Sequence, residues 1–420
     1  MTNNTNPEIV THGCRLNTFE SEVMRENAKK AGLKNTVIFN TCAVTAEAER
    51  NACSQIKRIR RQQPGVRIIV SGCAAQINPE IFEKMPEVDI VLGNEEKLDP
   101  KKYVLENLEK KLLVTDIMRV REIAGHLISG FESHSRAFIQ IQQGCDHRCT
   151  YCIIPFGRGN NRSIPFTHII KQVKDLIRNG YREIIMTGVD ISSYGNDLIG
   201  KPSLGQMVRH LLFLLPELER LRLSSLDPAV IDEDLLELIA NEPRLMPHIH
   251  FSVQAGSNLI LKRMKRRHNR QGVIKLCKQI RNNRNNIIFG ADLITGFPTE
   301  SPEQFNETIN LIDEAGLTYL HVFPYSPRPG TPAAKMPQID LDTKKYRSAT
   351  LRKKGENLKN KYFQELNGQV VKILVENKNR GYTETFAPVS LEKNQKPGEI
   401  ITALITSASA KGLTAQKIAT

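Results

Sequence analysis

The stretch QQGCDHRCTYCIIPFGRG, residues 142–159, contains three cysteines within one short segment: Cys145, Cys149 and Cys152. Three residues separate the first pair, and two residues separate the second pair. Iron–sulfur clusters are held by cysteine thiolates, and a cubane cluster normally takes four of them. Because no fourth cysteine lies nearby, the spacing predicts a cluster with one iron open to a ligand that the protein does not supply.

Zinc is the alternative metal for this segment, since Cys149 and Cys152 alone have the spacing of a zinc site. A structural zinc site uses four ligands, and His147 is the only close residue that would complete the set. The complete pattern of three cysteines after a strand-like run favours iron–sulfur over zinc.

Upstream of this segment, residues 1–125 alternate between strand-like and helical patterns. Runs typical of strands occur at Glu8–Thr11, Val37–Asn40, Arg67–Ser71 and Asp89–Leu92, with helical patterns such as Glu47–Arg61 between them. This alternation predicts an α/β fold whose amino-terminal domain is a doubly wound parallel sheet.

Three further cysteines, Cys14, Cys42 and Cys73, each follow one of the first three predicted strands. Ligands of open α/β sheets bind at the carboxyl ends of the strands, so these cysteines are predicted to meet in one crevice. A single free cysteine is more often a small core residue. The repeated placement favours a shared site here, whereas for Cys53 and Cys277, which lie within helical patterns, we keep the core interpretation.

Downstream, residues 130–355 contain six short apolar runs separated by helical patterns. The runs are Ala137–Gln142, Glu183–Thr187, Leu221–Ser224, His248–Val253, Ile287–Leu293 and Tyr319–Phe323. Six β/α units predict a partial barrel, because a complete barrel of this kind has eight. Polar and glycine-rich segments follow the runs, which is where such folds carry their active sites.

The last residues, 364–420, predict a small β-barrel, a shape that often binds nucleic acid. The charge of the chain, 59 Lys and Arg against 45 Asp and Glu, or +14, suits a polyanionic partner. Two basic stretches stand out, residues 344–380 and KRMKRRHNR at residues 262–270. Charge alone leaves a merely soluble basic protein as an equal alternative, but two stretches together with the β-barrel favour RNA.

The chain shows no pattern of a membrane or secreted protein. No apolar run approaches the length of a membrane span, and the amino terminus lacks the basic and apolar regions of a signal peptide. We therefore expect a cytoplasmic protein with no membrane partner. In a reducing compartment, eight cysteines are better explained by metal binding or catalysis than by disulfides.

The segments THGCRLNTFESE, NTCAVTAEAER, VSGCAAQ, QQGCDHRCTYC and FPYSPRPGTPAA together resemble the radical S-adenosylmethionine methylthiotransferases over essentially the whole chain. The resemblance implies a methylthiotransferase domain at residues 1–125, a radical S-adenosylmethionine core at 130–355 and a TRAM domain at 364–420. It implies S-adenosylmethionine as cosubstrate and two 4Fe–4S clusters. One would be held by Cys145, Cys149 and Cys152, and the other by Cys14, Cys42 and Cys73.

The same resemblance implies contacts to S-adenosylmethionine. Tyr151 is expected to lie against its adenine, and Gly188 and Asp190 beside its amino group, although TGVD departs from the usual GGE of the superfamily. Further expected contacts come from loops after later strands: Ser224, Ser225, Gln254 and Gly296. Hydrogen bonding to the loop backbone is the alternative for the hydroxyl and amide side chains, and a plain turn is the alternative for the glycine.

Within this family, GCRLNTFESE, NTCAVTAEAER and TGVDISSYG look most like the branch that acts on threonylcarbamoyladenosine in tRNA. The isopentenyladenosine branch tends to have arginine three residues after the second cysteine, where this chain has Thr45. A third branch, which modifies an aspartate of a ribosomal protein, favours glutamine before the aspartate of TGVD.

The resemblance thus implies methylthiolation of carbon 2 of N6-threonylcarbamoyladenosine at position 37 of tRNA. Its expected partners are the anticodon stem-loop of tRNA and an electron donor such as flavodoxin or ferredoxin, with the protein a monomer. The other two branches and a non-catalytic iron–sulfur RNA-binding protein stay open as alternatives.

Overall fold

The computed structural model describes residues 6–104, 110–121, 130–131 and 135–418. Its amino-terminal part is a parallel sheet with strands in the order β1-β2-β3-β4-β5. These strands are β1 (Glu8–Thr11), β2 (Thr36–Thr41), β3 (Arg67–Gly72), β4 (Ile90–Leu92) and β5 (Leu112–Leu113). The accompanying helices are α1 (Arg15–Lys30), α2 (Ala46–Gln62), α3 (Cys73–Ile77) and α4 (Pro79–Glu83), with 3-10 turns at Glu96–Leu98, Pro100–Tyr103 and Ile117–Arg119.

Both faces of this sheet are buried, because successive residues of its strands point to opposite sides. Ile38 packs with Met24 of α1 in one apolar cluster. Its neighbours Val37 and Phe39 pack with Ile56 of α2 in another. Helices therefore cover the sheet on both faces, and the predicted wound α/β fold is confirmed.

The central part forms an incomplete barrel. The strands β6 (Arg136–Gln140), β9 (Glu183–Thr187) and β10 (Arg220–Leu223) make one parallel sheet, and β11 (His248–Gln254), β12 (Ile288–Thr295) and β13 (Leu317–Pro324) make a second. Isolated bridges at Leu221–Leu245 and Leu226–Phe251 connect the two sheets. The six predicted strands are all present.

Helices surround these strands on the outer side. They are α6 (Phe166–Arg178), α7 (Leu204–Leu214), α8 (Glu233–Asn241), α9 (Asn258–Arg263), α10 (Arg270–Asn283) and α11 (Pro302–Ala315), with 3-10 turns at Ile191–Ser193 and Pro332–Lys335. Between β6 and α6 lie β7 (Gln142–Gln143), α5 (Ile154–Arg158) and β8 (Arg162–Ser163). Cys277 is fully buried in the core between strands and helices, as predicted.

A long helix, α12 (Leu341–Glu365), leads to a closed five-stranded barrel with strands in the order β14-β15-β16-β18-β17. Its strands are β14 (Val370–Asn377), β15 (Arg380–Thr383), β16 (Pro388–Leu391), β17 (Ile400–Ser409) and β18 (Gly412–Lys417). The predicted carboxyl-terminal β-barrel is confirmed. Within the described part of the chain, no helix combines the length and apolar character needed to cross a membrane.

Candidate active site

The loop between β7 and α5 holds Cys145, Cys149 and Cys152 near one another, so that the charges of Cys149 and Cys152 both act on the thiol of Cys145. Backbone hydrogen bonds fix the loop. The amide of Cys145 donates to the carbonyl of Gly159 at 3.0 Å, and the amide of Cys152 donates to the carbonyl of Cys149 at 3.0 Å. The amide of Thr150 donates to the carbonyl of Met264 at 3.2 Å, which ties the loop to the barrel.

These thiols are suited to holding a cation. Burial, and then the charge of Asp190, raises the pKa of Cys145 to about 12, and burial raises the pKa of Cys152 to about 12. Without a cation these two half-buried thiols therefore stay protonated. Bound iron would supply the positive charge that stabilises buried thiolates, so this donor set fits an iron–sulfur cluster.

His147 was the candidate fourth ligand of a zinc site. Its side chain contacts Asp190 and does not form a four-ligand site with the three cysteines. Its Nε2 lies 3.2 Å from Oδ2 of Asp190, and Sγ of Cys145 lies 3.8 Å from the same oxygen. The hydroxyl of Ser193 donates to that oxygen at 2.7 Å, and Oε1 of Gln142 accepts the amide of Asp190 at 2.8 Å. Asp190 is thereby held beside the cysteine loop.

Tyr151 and Gly188 also lie beside this loop. Tyr151 is half-buried and packs against an apolar cluster that includes Ala255, Leu261 and Phe297. A Cβ on Gly188 would lie 2.8 Å from the carbonyl oxygen of Gln142, so the backbone there leaves no room for a side chain. The contacts of Tyr151, Gly188 and Asp190 to S-adenosylmethionine stay predictions.

The remaining predicted contacts lie at the ends of β10, β11 and β12. Ser224 and Ser225 are half-buried, and within the described residues neither hydroxyl has a hydrogen-bond partner. Gln254 has a φ of 72°, which is uncommon for a residue with a side chain and is often found at functional sites. Gly296 has a φ of 65°, and a Cβ there would lie 2.5 Å from Cγ of Lys344 in α12. A tight turn against α12 explains this glycine, and the ligand roles of all four residues stay predictions.

The structure brings Cys14, Cys42 and Cys73 together at the ends of β1, β2 and β3. A Cβ on Gly13 would lie 3.3 Å from Sγ of Cys42. Burial, and then the charges of Cys73 and Cys14, raises the pKa of Cys42 to about 11. Cys42 therefore has the same property as Cys145 and Cys152, since bound iron would favour its thiolate.

Side chains from the same motifs hold these strand ends together. Nδ2 of Asn17 donates to the carbonyls of His12 at 2.6 Å and Thr41 at 3.2 Å. The hydroxyl of Thr41 donates to the carbonyl of Ser71 at 2.6 Å. The polar residues near the cysteines therefore link the ends of β1, β2 and β3.

Arg158 connects the two trios, and the sequence did not single it out. It belongs to α5, just after the first trio, yet its Nε lies 3.0 Å from Sγ of Cys73 in the second trio. Its Nη2 donates to Oδ1 of Asn17 at 2.6 Å and to Oε2 of Glu20 at 2.9 Å. The only available signal was its position in FGRG directly after the cysteine loop.

A buried ionic cluster surrounds this arginine. Glu20 and Lys97 are both fully buried, and Nζ of Lys97 lies 2.6 Å from Oε2 of Glu20. Burial opposes ionisation of Glu20, but the charges of Arg158 and Lys97 hold its pKa below the ordinary value. The cluster therefore has two cations for one carboxylate, and its excess positive charge faces Cys73.

Within the basic stretch at residues 262–270, the arginines contact other groups of the protein, whereas Lys262 and Lys265 are exposed. Arg266 and Arg267 lie 3.3 and 3.2 Å from Oδ2 of Asp227. Arg270 pairs with Glu314 at 2.5 Å, and Nη1 of Arg263 donates to Oγ1 of Thr299 at 2.7 Å. These four arginines therefore bind other groups of the protein, and Nη1 of Arg266 also lies 3.8 Å from Sγ of Cys149. Lys262 and Lys265 have no ion-pair partner among the described residues, so the stretch keeps part of its exposed positive charge.

The fold agrees with comparisons to known proteins, which define the class. Residues 139–312 match the family described as the Radical SAM superfamily, and residues 7–93 match the family described as Uncharacterized protein family UPF0004. The solved structure of the radical S-adenosylmethionine methyltransferase TsrM from Kitasatospora setae is similar, with a TM-score of 0.59. It covers 79% of this chain and 77% of that chain at 14% identity, a level that shows the fold alone.

Sequence relatives identify the family. A threonylcarbamoyladenosine tRNA methylthiotransferase MtaB of Rickettsia prowazekii is 53% identical over 403 residues, which cover 96% of this chain and 95% of the relative. A second protein of that name, from Aquifex aeolicus, is 34% identical, and the alignment covers 94% of this chain and 98% of the relative. A tRNA-2-methylthio-N(6)-dimethylallyladenosine synthase of Staphylococcus saprophyticus is 33% identical, and the alignment covers 88% of this chain and 75% of the relative. The chain belongs to the radical S-adenosylmethionine methylthiotransferase family, which includes the MtaB proteins, and it is an enzyme.

Proposed function

We propose that this enzyme inserts a methylthio group at carbon 2 of the adenine of N6-threonylcarbamoyladenosine, at position 37 of tRNA. The observation that carries the proposal is a pair of cysteine trios on adjoining parts of the chain, connected by Arg158. The near full-length similarity to proteins named for this reaction supports the choice of substrate.

The two trios would hold two 4Fe–4S clusters. Cys145, Cys149 and Cys152 would hold one beside S-adenosylmethionine, and Cys14, Cys42 and Cys73 would hold the auxiliary one. When bound, the first cluster supplies the electron that cleaves S-adenosylmethionine, and the second supplies the site at which sulfur is delivered.

The protein's own residues would bind and orient S-adenosylmethionine. Tyr151, backed by an apolar cluster, would pack against the adenine of S-adenosylmethionine. Asp190 is a carboxylate held by Ser193 and Gln142, and it would accept hydrogen bonds from the ammonium group. The unpartnered hydroxyls of Ser224 and Ser225 would bind polar atoms of the same molecule. Gly188 keeps the backbone close to the loop.

The proposed reaction also requires an RNA partner and an electron donor. The bound partner would be the anticodon stem-loop of tRNA, and the electron donor would be a flavodoxin or ferredoxin. We further propose a cytoplasmic location and a monomer. Three domains are proposed at residues 1–125, 130–355 and 364–420.

Mass spectrometry of tRNA nucleosides tests the function directly. Cells lacking this protein should lose 2-methylthio-threonylcarbamoyladenosine and accumulate its unthiolated parent. A change in isopentenyladenosine derivatives instead would reassign the substrate within the family. If no tRNA nucleoside changes, the RNA substrate is wrong.

Two cysteine variants test the assignment of the clusters. Cys149→Ala should abolish formation of 5′-deoxyadenosine from S-adenosylmethionine, because the cleaving cluster would lose a ligand. Cys42→Ala should keep this cleavage but stop sulfur insertion. Cys53→Ala, which alters a half-buried cysteine outside both trios, is the matched control and should preserve both activities. Cleavage by the first variant or normal insertion by the second contradicts the assignment.

A further inference from the structure

The guanidinium of Arg15 lies inside the partial barrel with no carboxylate in direct contact, although the charges of Glu183 and Asp292 act on it at longer range. Arg15 is the first residue of α1 and directly follows Cys14. Its Cζ lies 5.5 Å from the centre of the Phe386 ring, which reaches this place from the carboxyl-terminal barrel. Within the described residues, its side chain makes no hydrogen bond and no ion pair. A cation in such a place is suited to an anion from outside the chain.

The closest other cations already have carboxylates. Arg136 and Arg222 lie 5.0 and 4.9 Å from the same ring of Phe386. Arg136 pairs with Glu376 at 3.3 Å, and Nε of Arg222 donates to Glu183 at 2.8 Å. Arg15 is therefore the cation of this group that lacks a directly paired carboxylate. Nε and Nη1 of Arg136, a residue only 8% exposed, are also buried without a hydrogen-bond partner, so the group has unused donors.

Histidines and one aspartate line the adjoining wall of the barrel interior. Ile249 and Phe251 pack outward into the core, so His250 between them points inward. Oδ1 of Asp292 lies 3.0 Å from Nε2 of His250 and 3.3 Å from Nδ1 of His321. This carboxylate is already hydrogen-bonded. The His321 side chain is 61% exposed, so the interior is open to solvent on this side.

We propose that Arg15 binds the carboxylate of the threonylcarbamoyl group and thereby selects the substrate. This inference rests on the proposed function. The group is a threonine joined to adenine through a carbamoyl link, and its carboxylate is ionised at neutral pH. The planar guanidinium of arginine binds a carboxylate through two parallel hydrogen bonds. A dimethylallyl group is an uncharged hydrocarbon and would leave Arg15 unpaired, so the same residue disfavours it.

The position of Arg15 also links recognition to chemistry. Arg15 directly follows Cys14 of the second trio, so a carboxylate bound by Arg15 would hold the attached adenine within reach of that trio. The arginine acts as a specificity residue and takes no part in bond breaking.

Binding of matched RNAs tests the proposal. The probes are two anticodon stem-loops that carry threonylcarbamoyladenosine or its carboxamide analogue, which lacks the negative charge. Reconstituted two-cluster enzyme is measured without reductant, so that dissociation constants are obtained without turnover. The wild-type enzyme should prefer the carboxylate by about 10- to 100-fold, the range expected for a charged hydrogen bond.

Three variants complete the experiment. Arg15→Gln should lower this preference to near one, and Arg15→Lys should keep part of it. Arg58→Gln, which removes an exposed arginine of α2, should leave the ratio unchanged even if overall RNA affinity falls. A glutamine variant with full iron content and the wild-type ratio overturns the inference. If the glutamine variant loses iron, the lysine variant decides: a ratio well above one supports the inference, and a ratio near one overturns it.

The failure of the proposed function looks different. In that case the wild-type enzyme, once reduced, produces no methylthio product from the threonylcarbamoyl stem-loop. An enzyme that makes this product but has no carboxylate preference keeps the proposed function and loses only the role of Arg15.

Discussion

At the scale of single residues, Arg158 joins the segment after the first trio to the second trio. It belongs to α5, directly after the loop of the first trio, and its Nε lies 3.0 Å from Sγ of Cys73 in the second trio. A fixed positive charge this close to a thiolate ligand stabilises the more negative, reduced state of a cluster. The same charge compensates Glu20, which has no exposed surface.

We predict that Arg158→Met lowers the midpoint potential of the auxiliary cluster and destabilises the fold. Removing one partner of a buried ion pair typically costs about 3–5 kcal/mol, and here Glu20 would keep only Lys97. Redox titration followed by electron paramagnetic resonance gives the potential, and urea unfolding gives the stability. Arg158→Lys, which keeps a charge, is the control and should shift the potential less. An unchanged potential in a methionine variant with full iron content contradicts the prediction.

At the scale of elements, the cysteine loop depends on a close approach of two backbone segments. Gly144 has a φ of 72°, and a Cβ there would overlap the carbonyl oxygen of Asn160. The adjoining amide of Cys145 donates to the carbonyl of Gly159 at 3.0 Å. A side chain at Gly144 would therefore push the segment of Gly144 and Cys145 away from that of Gly159 and Asn160. The hydrogen bond from Cys145 to Gly159 would be lost.

We predict that Gly144→Ala loses the first cluster, so that iron per chain falls by about half after reconstitution. Formation of 5′-deoxyadenosine should fall with it. Gly180→Ala is the matched control, because Gly180 has a φ of 90° with nothing within 4 Å of its Cβ position. It should cost about 1 kcal/mol of stability without loss of iron. Equal iron in both variants contradicts the role of Gly144.

The sequence predicted the elements better than it predicted their contacts. The barrel strands and the strands before Cys14, Cys42 and Cys73 were readable because each is a short apolar run bounded by polar residues. The strands β7 and β8 could not be predicted, since two residues are too few to show a hydrophobic pattern. Arg158 and Glu20 are 138 residues apart, and nothing local indicates that they pair. The ion pair of Arg266 with Asp227 could not be predicted for the same reason, because the two residues lie far apart in sequence.

At the scale of the whole molecule, three parts of the chain meet at the barrel interior. Arg15 comes from the amino-terminal part, Arg222 from a barrel strand and Phe386 from the carboxyl-terminal barrel. His248 stacks on the Phe386 ring at a centroid distance of 5.7 Å. The carboxyl-terminal barrel is therefore packed against the interior of the central one. Exposed charge for RNA must then come from outer surfaces, and α12 carries part of this charge.

Lys353 and Lys361 on α12 are exposed, and within the described residues neither has an ion-pair partner. Lys354 of the same helix instead pairs with Asp313 at 2.8 Å.

Each phosphate contact contributes about 0.7–0.9 to the slope of log affinity against log salt, because it releases a bound counterion. We therefore predict that the double variant Lys353→Ala, Lys361→Ala binds tRNA more weakly and reduces this slope by about 1.5. Fluorescence anisotropy over a series of salt concentrations measures it. Lys354→Ala is the control on the same helix and should leave the slope nearly unchanged. If the double variant keeps the wild-type slope, or if all three lysines reduce it equally, the exposed side of α12 is not the surface that contacts phosphate.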